Sequence, residues 1–342
     1  MSLKKWFDNA RSVSLVQSVM PSVLAVVLAI GKEGFHWWDA VLAVVGVACA
    51  HLAMNLTDDY FDYKVDMLGD RDKVTRQGFR AMLVKYPYLT DGSQTLKSTA
   101  VAIASFIIAA MCCGGVILLD RWGTPVFALD GLWWIGAIVA CCAFLGVFYS
   151  APPFKLAYRG LGEPVIGIIF GPLLMMGVYY ASCAQMNPDV VLTSVPVGLL
   201  VMNILFTHSF VEMAGDAQSN KMTLARLIGS TKGNLTASAI INFLPFVMIV
   251  LGVCLGDLSA WYLCTLLVLP RGIWLFHSLV QYSKGAMMEI ERPPFWLGPM
   301  PNWDKYRSAK IDWFMGRWLC ARNLLSGFCV IIMIVTILLR VI

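Results

Sequence analysis

Charge is what this chain has least of. Of its 342 residues, 14% are Asp, Glu, Lys or Arg, where an ordinary soluble domain carries about 25%. With 58% hydrophobic residues, there is too little polar surface to clothe a soluble fold of this length. A polytopic membrane protein remains. Histidine is also scarce, with four residues in all, and no two cysteines stand in a CxxC pair. That excludes the common His/Cys metal clusters. Most of the ten cysteines, such as Cys49, Cys112, Cys113, Cys141, Cys142 and Cys254, lie inside apolar runs and read as small buried hydrophobes. The net charge of +5 follows the loops, so nucleic acid is not an expected partner. No cleavable leader is expected, because the apolar run after the basic start MSLKKWFDNAR is long enough to remain as a span.

What is present is long apolar runs. A hydrocarbon core needs about 20 apolar residues per helix. Runs near 12–30, 38–57, 96–119, 131–149, 161–183, 189–211, 236–256, 259–281 and 322–341 meet that need. An all-α bundle of about nine transmembrane helices is expected, as a single domain over 1–342. Lys4, Lys5 and Arg11 precede the first run. Further basic residues gather after runs two, four, six and eight: Lys64, Arg71, Lys73, Arg76, Arg80, Lys85 and Lys97, then Lys155 and Arg159, then Lys221, Arg226 and Lys232, then a group between Lys284 and Arg322. The opposite side carries Lys32, Arg121 and Arg340. This alternation predicts a cytoplasmic N-terminus and a C-terminus on the other side. Trp37, Trp38, Trp122, Trp133, Trp134 and Trp261 fall at outer ends of the runs, as interfacial aromatics do. The long loops near 58–95 and 282–321 are then cytoplasmic, which puts function on that side. The segment 283–321 mixes Trp, Phe, Met and basic residues and is expected to lie along the interface.

Two acidic clusters end apolar runs on the basic side. The first is NLTDDYFDYKVD, with Asn55, Asp58, Asp59, Asp62 and Asp66, followed by Asp70. The second is VEMAGDAQSNK, with Glu212, Asp216 and Asn220. On a helix, 55, 59, 62 and 66 share one face, as do 212, 216 and 220. Stacked carboxylates repel, the more so near a bilayer. A lone Asp there reads as a solvated cap. Two clusters read as binding a cation together with phosphate, and hard oxygen ligands suit Mg2+. The loop YSAPPFKLAYRGLGE sets Lys155 and Arg159 between two runs. Topological anchoring is one reading. The other is neutralisation of a departing diphosphate, for which Arg offers a fork and Lys a point charge. Tyr149 and Tyr158 are candidates to orient a leaving oxygen or are interface aromatics. Lys221 either reaches a diphosphate or is a surface lysine. Arg271, near the middle of its run, should face the bundle interior. His51 and His208 lie one turn deeper than the acids and read as satisfied buried histidines. His51, Asn55, Asp59 and His208, Glu212, Asp216 share one spacing, a hint of internal repetition.

The segment Asp58 to Asp66 resembles the NDxxDxxxD motif of the UbiA superfamily of intramembrane prenyltransferases. Glu212 to Asp216 resembles their second motif, DxxxD. Tyr158-Arg159-Gly160-Leu161-Gly162-Glu163 with the following FGPLL is similar to the branch that acts on 1,4-dihydroxy-2-naphthoate, on the way to menaquinone. The similarity extends from about residue 10 to the C-terminus. Two residues depart from the pattern: Asp58 stands where Asn is usual, and Glu212 where Asp is usual. The resemblance implies an integral protein of the bacterial cytoplasmic membrane, with its active site on the cytoplasmic side. The implied partners are a polyprenyl diphosphate, an aromatic acceptor and membrane lipid. It implies Mg2+ held by Asp58, Asp59, Asp62, Asp66, Glu212 and Asp216, with Asn55, Tyr149, Lys155, Arg159 and Lys221 on the substrates. Asp59, Asp62, Lys155, Arg159 and Asp216 are the implied catalytic set. Other readings are another acceptor (4-hydroxybenzoate, homogentisate or haem), a non-catalytic lipid-binding relative, or an ion-coupled transporter.

Overall fold

The computed structural model describes residues 6–7, 9–67, 86–121, 129–218, 221–286 and 290–341; the side chains of residues 13, 65–67, 129–133 and 218 are also left aside. The Asp66 side chain, Asp70 and Asn220 therefore lie outside the described residues. So do Lys4, Lys5, Arg71, Lys73, Arg76, Arg80, Lys85 and the side chains of Trp122 and Trp133.

Among the described residues the fold is helical. In chain order the principal helices are α1 (Val16–Ala29), α2 (Trp37–Met67), α3 (Leu96–Asp120), α4 (Leu129–Ser150), α5 (Gly162–Cys183), α6 (Pro188–Val211), α7 (Thr231–Cys254), α8 (Ala260–Ser283) and α9 (Asp312–Val341). Among the described residues, seven helices are long and apolar enough to cross a membrane. The expected spans near 12–30 and 131–149 fall on the shorter apolar helices Val16–Ala29 and Trp134–Ser150. Helices suit lipid because they satisfy their own backbone groups. Their starts are chemically marked: Thr95 and Ser98 form a capping box on α3, and Asn187 caps α6 ahead of Pro188. On α3, Val101, Ile108, Met111 and Leu119 are exposed, a face suited to lipid.

The chain divides into two compact units. The first comprises Met1–Leu156 with Leu173–Met186, the second Ala157–Pro172 with Asn187–Ile342. In the first unit α2 is the central helix, packed on α1, α3, α4 and the Leu174–Cys183 part of α5. In the second unit α6 is central. It packs on the Gly162–Ile168 part of α5 and on α7, α8 and α9. Val197, Leu200, Val201, Ile204 and Phe206 of α6 are fully buried. Gly167 and Gly171 meet Gly198 so closely that a Cβ on Gly171 would stand 2.5 Å from the Gly198 Cα, so small residues are required at this crossing. Each acidic motif thus sits at the C-terminal end of the central helix of its unit.

Two boundaries differ from expectation. α2 continues through the first motif to Met67, so the acids do lie on a helix. α9 begins at Asp312, about a turn after the short helix Trp303–Ser308. Residues 312–321 therefore belong to the last helix of the bundle, which starts ten residues earlier than the run near 322–341 predicts. The reason is packing: Trp313 stacks on Tyr282 of α8, and Arg317 reaches the Ser278 carbonyl.

Candidate functional site

In the first unit Asp59 is fully buried and Asp62 nearly so. Arg11, just before α1, carries the compensating charge. Its Nη2 lies 3.2 Å from Asp58 Oδ2 and 3.2 Å from Asp59 Oδ1. It also donates to the Asn55 carbonyl at 3.2 Å. Burial alone lowers the pKa of this guanidinium. Asp59 and Asp58 reverse that and hold it above its ordinary value. The Ser150 hydroxyl, at the end of α4, donates to Asp58 Oδ1 at 2.5 Å. The Tyr88 hydroxyl donates to Asp59 Oδ2 at 3.0 Å. Burial, then the neighbouring Asp59 charge, pushes the Tyr88 phenol up, which keeps it a donor. Asn55 spends its amide on the Ala10 carbonyl and the Ser14 hydroxyl, both at 2.9 Å. It thereby ties the N-terminal segment to α2. His51 is buried, 2.7 Å from Ser18 Oγ: a satisfied histidine, as its depth predicts. Tyr149 and Lys155 are half-buried in this unit. Lys155 has a positive φ of 46° in the turn that leaves α4.

In the second unit α6 stops at Val211, Glu212 forms the joint, and a short helix Met213–Gln218 resumes. Glu212 Oε2 lies 2.5 Å from His208 Nε2. Asp216 is buried, and its amide donates to the Glu212 carbonyl at 2.9 Å. The Lys221 amide donates to the Asp216 carbonyl at 2.9 Å. Arg226 donates to the carbonyls of Lys221, at 2.5 Å, and Asp216, at 3.3 Å. The Lys221 ammonium stands 5.9 Å from the centre of the Tyr158 ring. Arg159 bridges to Met222 as a parallel pair, and the Gly160 amide donates to the Met222 carbonyl at 2.7 Å. Glu163 completes the tie by accepting from Ser209 Oγ at 2.5 Å and the Leu224 amide at 3.3 Å. The loop carrying Tyr158 and Arg159 is therefore joined to the segment after the second motif.

Arg11, Tyr88, Ser150, Glu163 and Arg226 were not singled out as site residues by the sequence. In the sequence Arg11 and Arg226 read only as topological charge. Arg11 meets Asp58 across 47 residues of sequence, and no local pattern signals such a contact. Arg271 does face protein, but its partners are the Trp296 and Asn323 carbonyls, each at 2.8 Å. It is a strap for the segment before α9.

Asp59 and Asp62 in the first unit and Asp216 in the second are buried carboxylates at helix ends, hard oxygen donors of the type that suits a divalent cation, and Arg11 already neutralises part of the first group. The family model described as the UbiA prenyltransferase family matches residues 18–290. The chain belongs to the UbiA prenyltransferase family. It is 24% identical over 280 residues to the 1,4-dihydroxy-2-naphthoate octaprenyltransferase of Bacillus subtilis, covering 82% of this chain and 83% of that protein. It is 25% identical over 284 residues to the 2-carboxy-1,4-naphthoquinone phytyltransferase of Synechocystis, covering 82% and 83%. Among solved structures, a digeranylgeranylglyceryl phosphate synthase matches with a TM-score of 0.57 at 17% identity, over 97% of this chain and 98% of that one. A UbiA homologue from Archaeoglobus fulgidus bound to GPP and Mg2+ matches with a TM-score of 0.54 at 14% identity, over 96% and 99%. The all-α membrane fold expected from the sequence is thus the UbiA fold.

Proposed function

We propose that this protein transfers a polyprenyl group from a polyprenyl diphosphate to 1,4-dihydroxy-2-naphthoate, the acceptor named for its Bacillus relative. The observation that carries the reading is the corner of the second unit. There Asp216 lies beside the chain segments of Lys221 and Arg226, and the Arg159 loop is bonded to the same stretch. A carboxylate for a metal beside cations for phosphate oxygens is the equipment that diphosphate departure requires.

Asp59, Asp62 and Asp66 in the first unit, and Glu212 and Asp216 in the second, would hold Mg2+. When bound, Mg2+ neutralises charge on the diphosphate oxygens. Asp58, engaged by Arg11 and Ser150, supports that group by holding the guanidinium in place. Lys155, Arg159 and Lys221 bind and orient the diphosphate, with Tyr149 and Asn55 on the substrate side. The allylic C–O bond breaks, and its electron pair leaves with the diphosphate. The electron-rich ring then forms the new C–C bond, and the ring carboxyl departs as carbon dioxide. The prenyl tail extends into lipid. The whole chain acts as one prenyltransferase domain of the bacterial cytoplasmic membrane. Its N-terminus and its acidic motifs lie on the cytoplasmic side, following the basic loops.

The test is an assay of the purified protein with a labelled polyprenyl diphosphate, with Mg2+ or with excess EDTA. The acceptors are 1,4-dihydroxy-2-naphthoate, 4-hydroxybenzoate and homogentisate. Mg2+-dependent prenylation of the naphthoate is expected. Prenylation of another acceptor alone would move the protein to a different branch. No diphosphate release with any acceptor would remove the enzymatic reading.

A further inference from the structure

The second motif depends on a joint. A helix leaves its last carbonyls without intrahelical partners, and Val211 is the last residue of α6. Its carbonyl accepts a 2.7 Å hydrogen bond from the Tyr282 hydroxyl of α8. Tyr282 is itself held from several sides. Its ring stacks on Trp313 with centroids 5.9 Å apart and 4° between the planes. The edge of Phe210 packs against it at 6.5 Å, and the Arg317 guanidinium lies 5.4 Å from the ring centre. Arg317 is buried. Its hydrogen bonds go to the Trp313 and Ser278 carbonyls, and among the described residues no carboxylate pairs with it. A buried cation without an acid is expensive. What this one does is clamp α8 to α9 around Tyr282. A second contact runs the same way: Phe314, next to Trp313, packs edge-on against the His208 ring at 5.1 Å, and His208 meets Glu212.

We propose that Tyr282, clamped by Arg317 and Trp313, is a positioning residue that sets the Glu212 joint through the Val211 carbonyl. The inference rests on the reading of Glu212 and Asp216 as metal-side carboxylates. The hydroxyl competes with the amide four residues on that would continue the helix, so it favours a stop at Val211. Glu212 then leaves the helix with φ −98° and ψ 10°. These angles aim its carboxylate. Without the hydroxyl the joint is free to re-form as helix, and the carboxylate shifts relative to Asp216. Outer partners of metal ligands typically control affinity at the level of 10–100-fold.

The experiment compares wild type, Asp216→Ala, Tyr282→Phe and Arg317→Lys in lipid nanodiscs. Three quantities are read: Mn2+ affinity by electron paramagnetic resonance, the Mg2+ midpoint of prenyl transfer, and the melting temperature. Tyr282→Phe keeps the ring and its stacking and loses only the hydroxyl. It should weaken Mn2+ binding and raise the Mg2+ midpoint by about tenfold, with little change in melting temperature. Arg317→Lys, which loses the planar fork but keeps the charge, should shift both in the same direction by less. If Tyr282→Phe does not fold, Arg317→Lys decides. Variants that melt lower while keeping wild-type Mn2+ affinity and Mg2+ midpoint would make the clamp merely structural and overturn the inference. A wild type that binds Mn2+ through Asp216 but transfers no prenyl group overturns the proposed reaction, and the Mn2+ comparison then decides the clamp by itself. A wild type that binds no Mn2+ overturns both.

Discussion

In the first unit the acidic motif rides on an uninterrupted helix, and its charge is answered from outside that helix by Arg11, Ser150 and Tyr88. In the second unit the helix stops inside the motif, and Glu212 is answered by His208, one turn earlier on the same element. The histidines show the contrast most directly. His51 and His208 occupy equivalent places in the shared spacing. His51 is buried against Ser18, while the His208 side chain is 39% exposed and sits on the carboxylate. A common sequence pattern has therefore been supported in two ways. The first motif is rigid by continuity and depends on long-range charge. The second depends on how a break is held. The first should be sensitive to charge removal, the second to geometry.

Loss of the buried acids gives the largest expected effect and tests what the two motifs have in common. Asp59→Ala, Asp62→Ala and Asp216→Ala should each reduce turnover by about two to three orders of magnitude, with the protein still folded in detergent. Prenyl-transfer rates at saturating Mg2+ check this. Near-normal rates in any two would end the two-motif model.

Charge balance in the first motif comes next. Arg11→Gln leaves Asp58 and Asp59 without their facing cation, and stranding buried carboxylates is costly. The variant should melt at a lower temperature in detergent and turn over about tenfold more slowly. Adding Asp58→Asn, which restores the residue usual in the family, removes the excess charge and should recover most of the lost stability. A double variant no more stable than Arg11→Gln alone would show that Asp58 and Arg11 are not a compensating pair.

Arg159→Ala follows. Its loop is fixed by the Met222 bridge and by the Gly160 and Glu163 bonds, so losing the side chain should leave the loop in place. The KM for the prenyl diphosphate should rise by about tenfold, with normal membrane insertion, because a charge-assisted contact to phosphate is lost. Poor insertion with unchanged donor affinity would instead mark Arg159 as a topological anchor.

These contrasts also show what could be read from the sequence. Apolar runs of span length and alternating basic loops disclosed the membrane class and the approximate helix positions, because lipid leaves few other solutions. The helical spacing of the acids, steps of four, three and four through Asn55, Asp59, Asp62 and Asp66 and of four from Glu212 to Asp216, disclosed the candidates. The contacts that support them were illegible. Arg11 looks like any basic residue before a first span, and Ser150 like any helix end. Tyr282 lies 71 residues from the carbonyl it serves. The late start expected for α9 has the same origin. Trp313 and Arg317 resemble an interfacial segment in composition, and only their packing against α8 shows them to be part of the bundle.

The smallest expected effect sharpens the difference between the motifs. Glu212→Asp restores the usual family carboxylate and shortens the side chain by one methylene. In this chain the longer side chain brings Oε2 to 2.5 Å from His208 Nε2 across one helical turn. Aspartate cannot hold that contact without moving the joint that the Tyr282 hydroxyl holds. Mg2+ accepts little displacement of its ligands, so the variant should remain active while needing several-fold more Mg2+, a shift below the roughly tenfold loss typical of a broken outer contact. The corresponding change in the first motif, Asp58→Asn alone, should alter the Mg2+ midpoint less, because Asp58 is engaged by Arg11 and Ser150. Titrating Mg2+ in both variants beside wild type measures the contrast directly. An unchanged midpoint in Glu212→Asp would place Glu212 outside the metal's ligands. A larger shift in Asp58→Asn than in Glu212→Asp would invert the assignment of charge sensitivity to one motif and geometric sensitivity to the other.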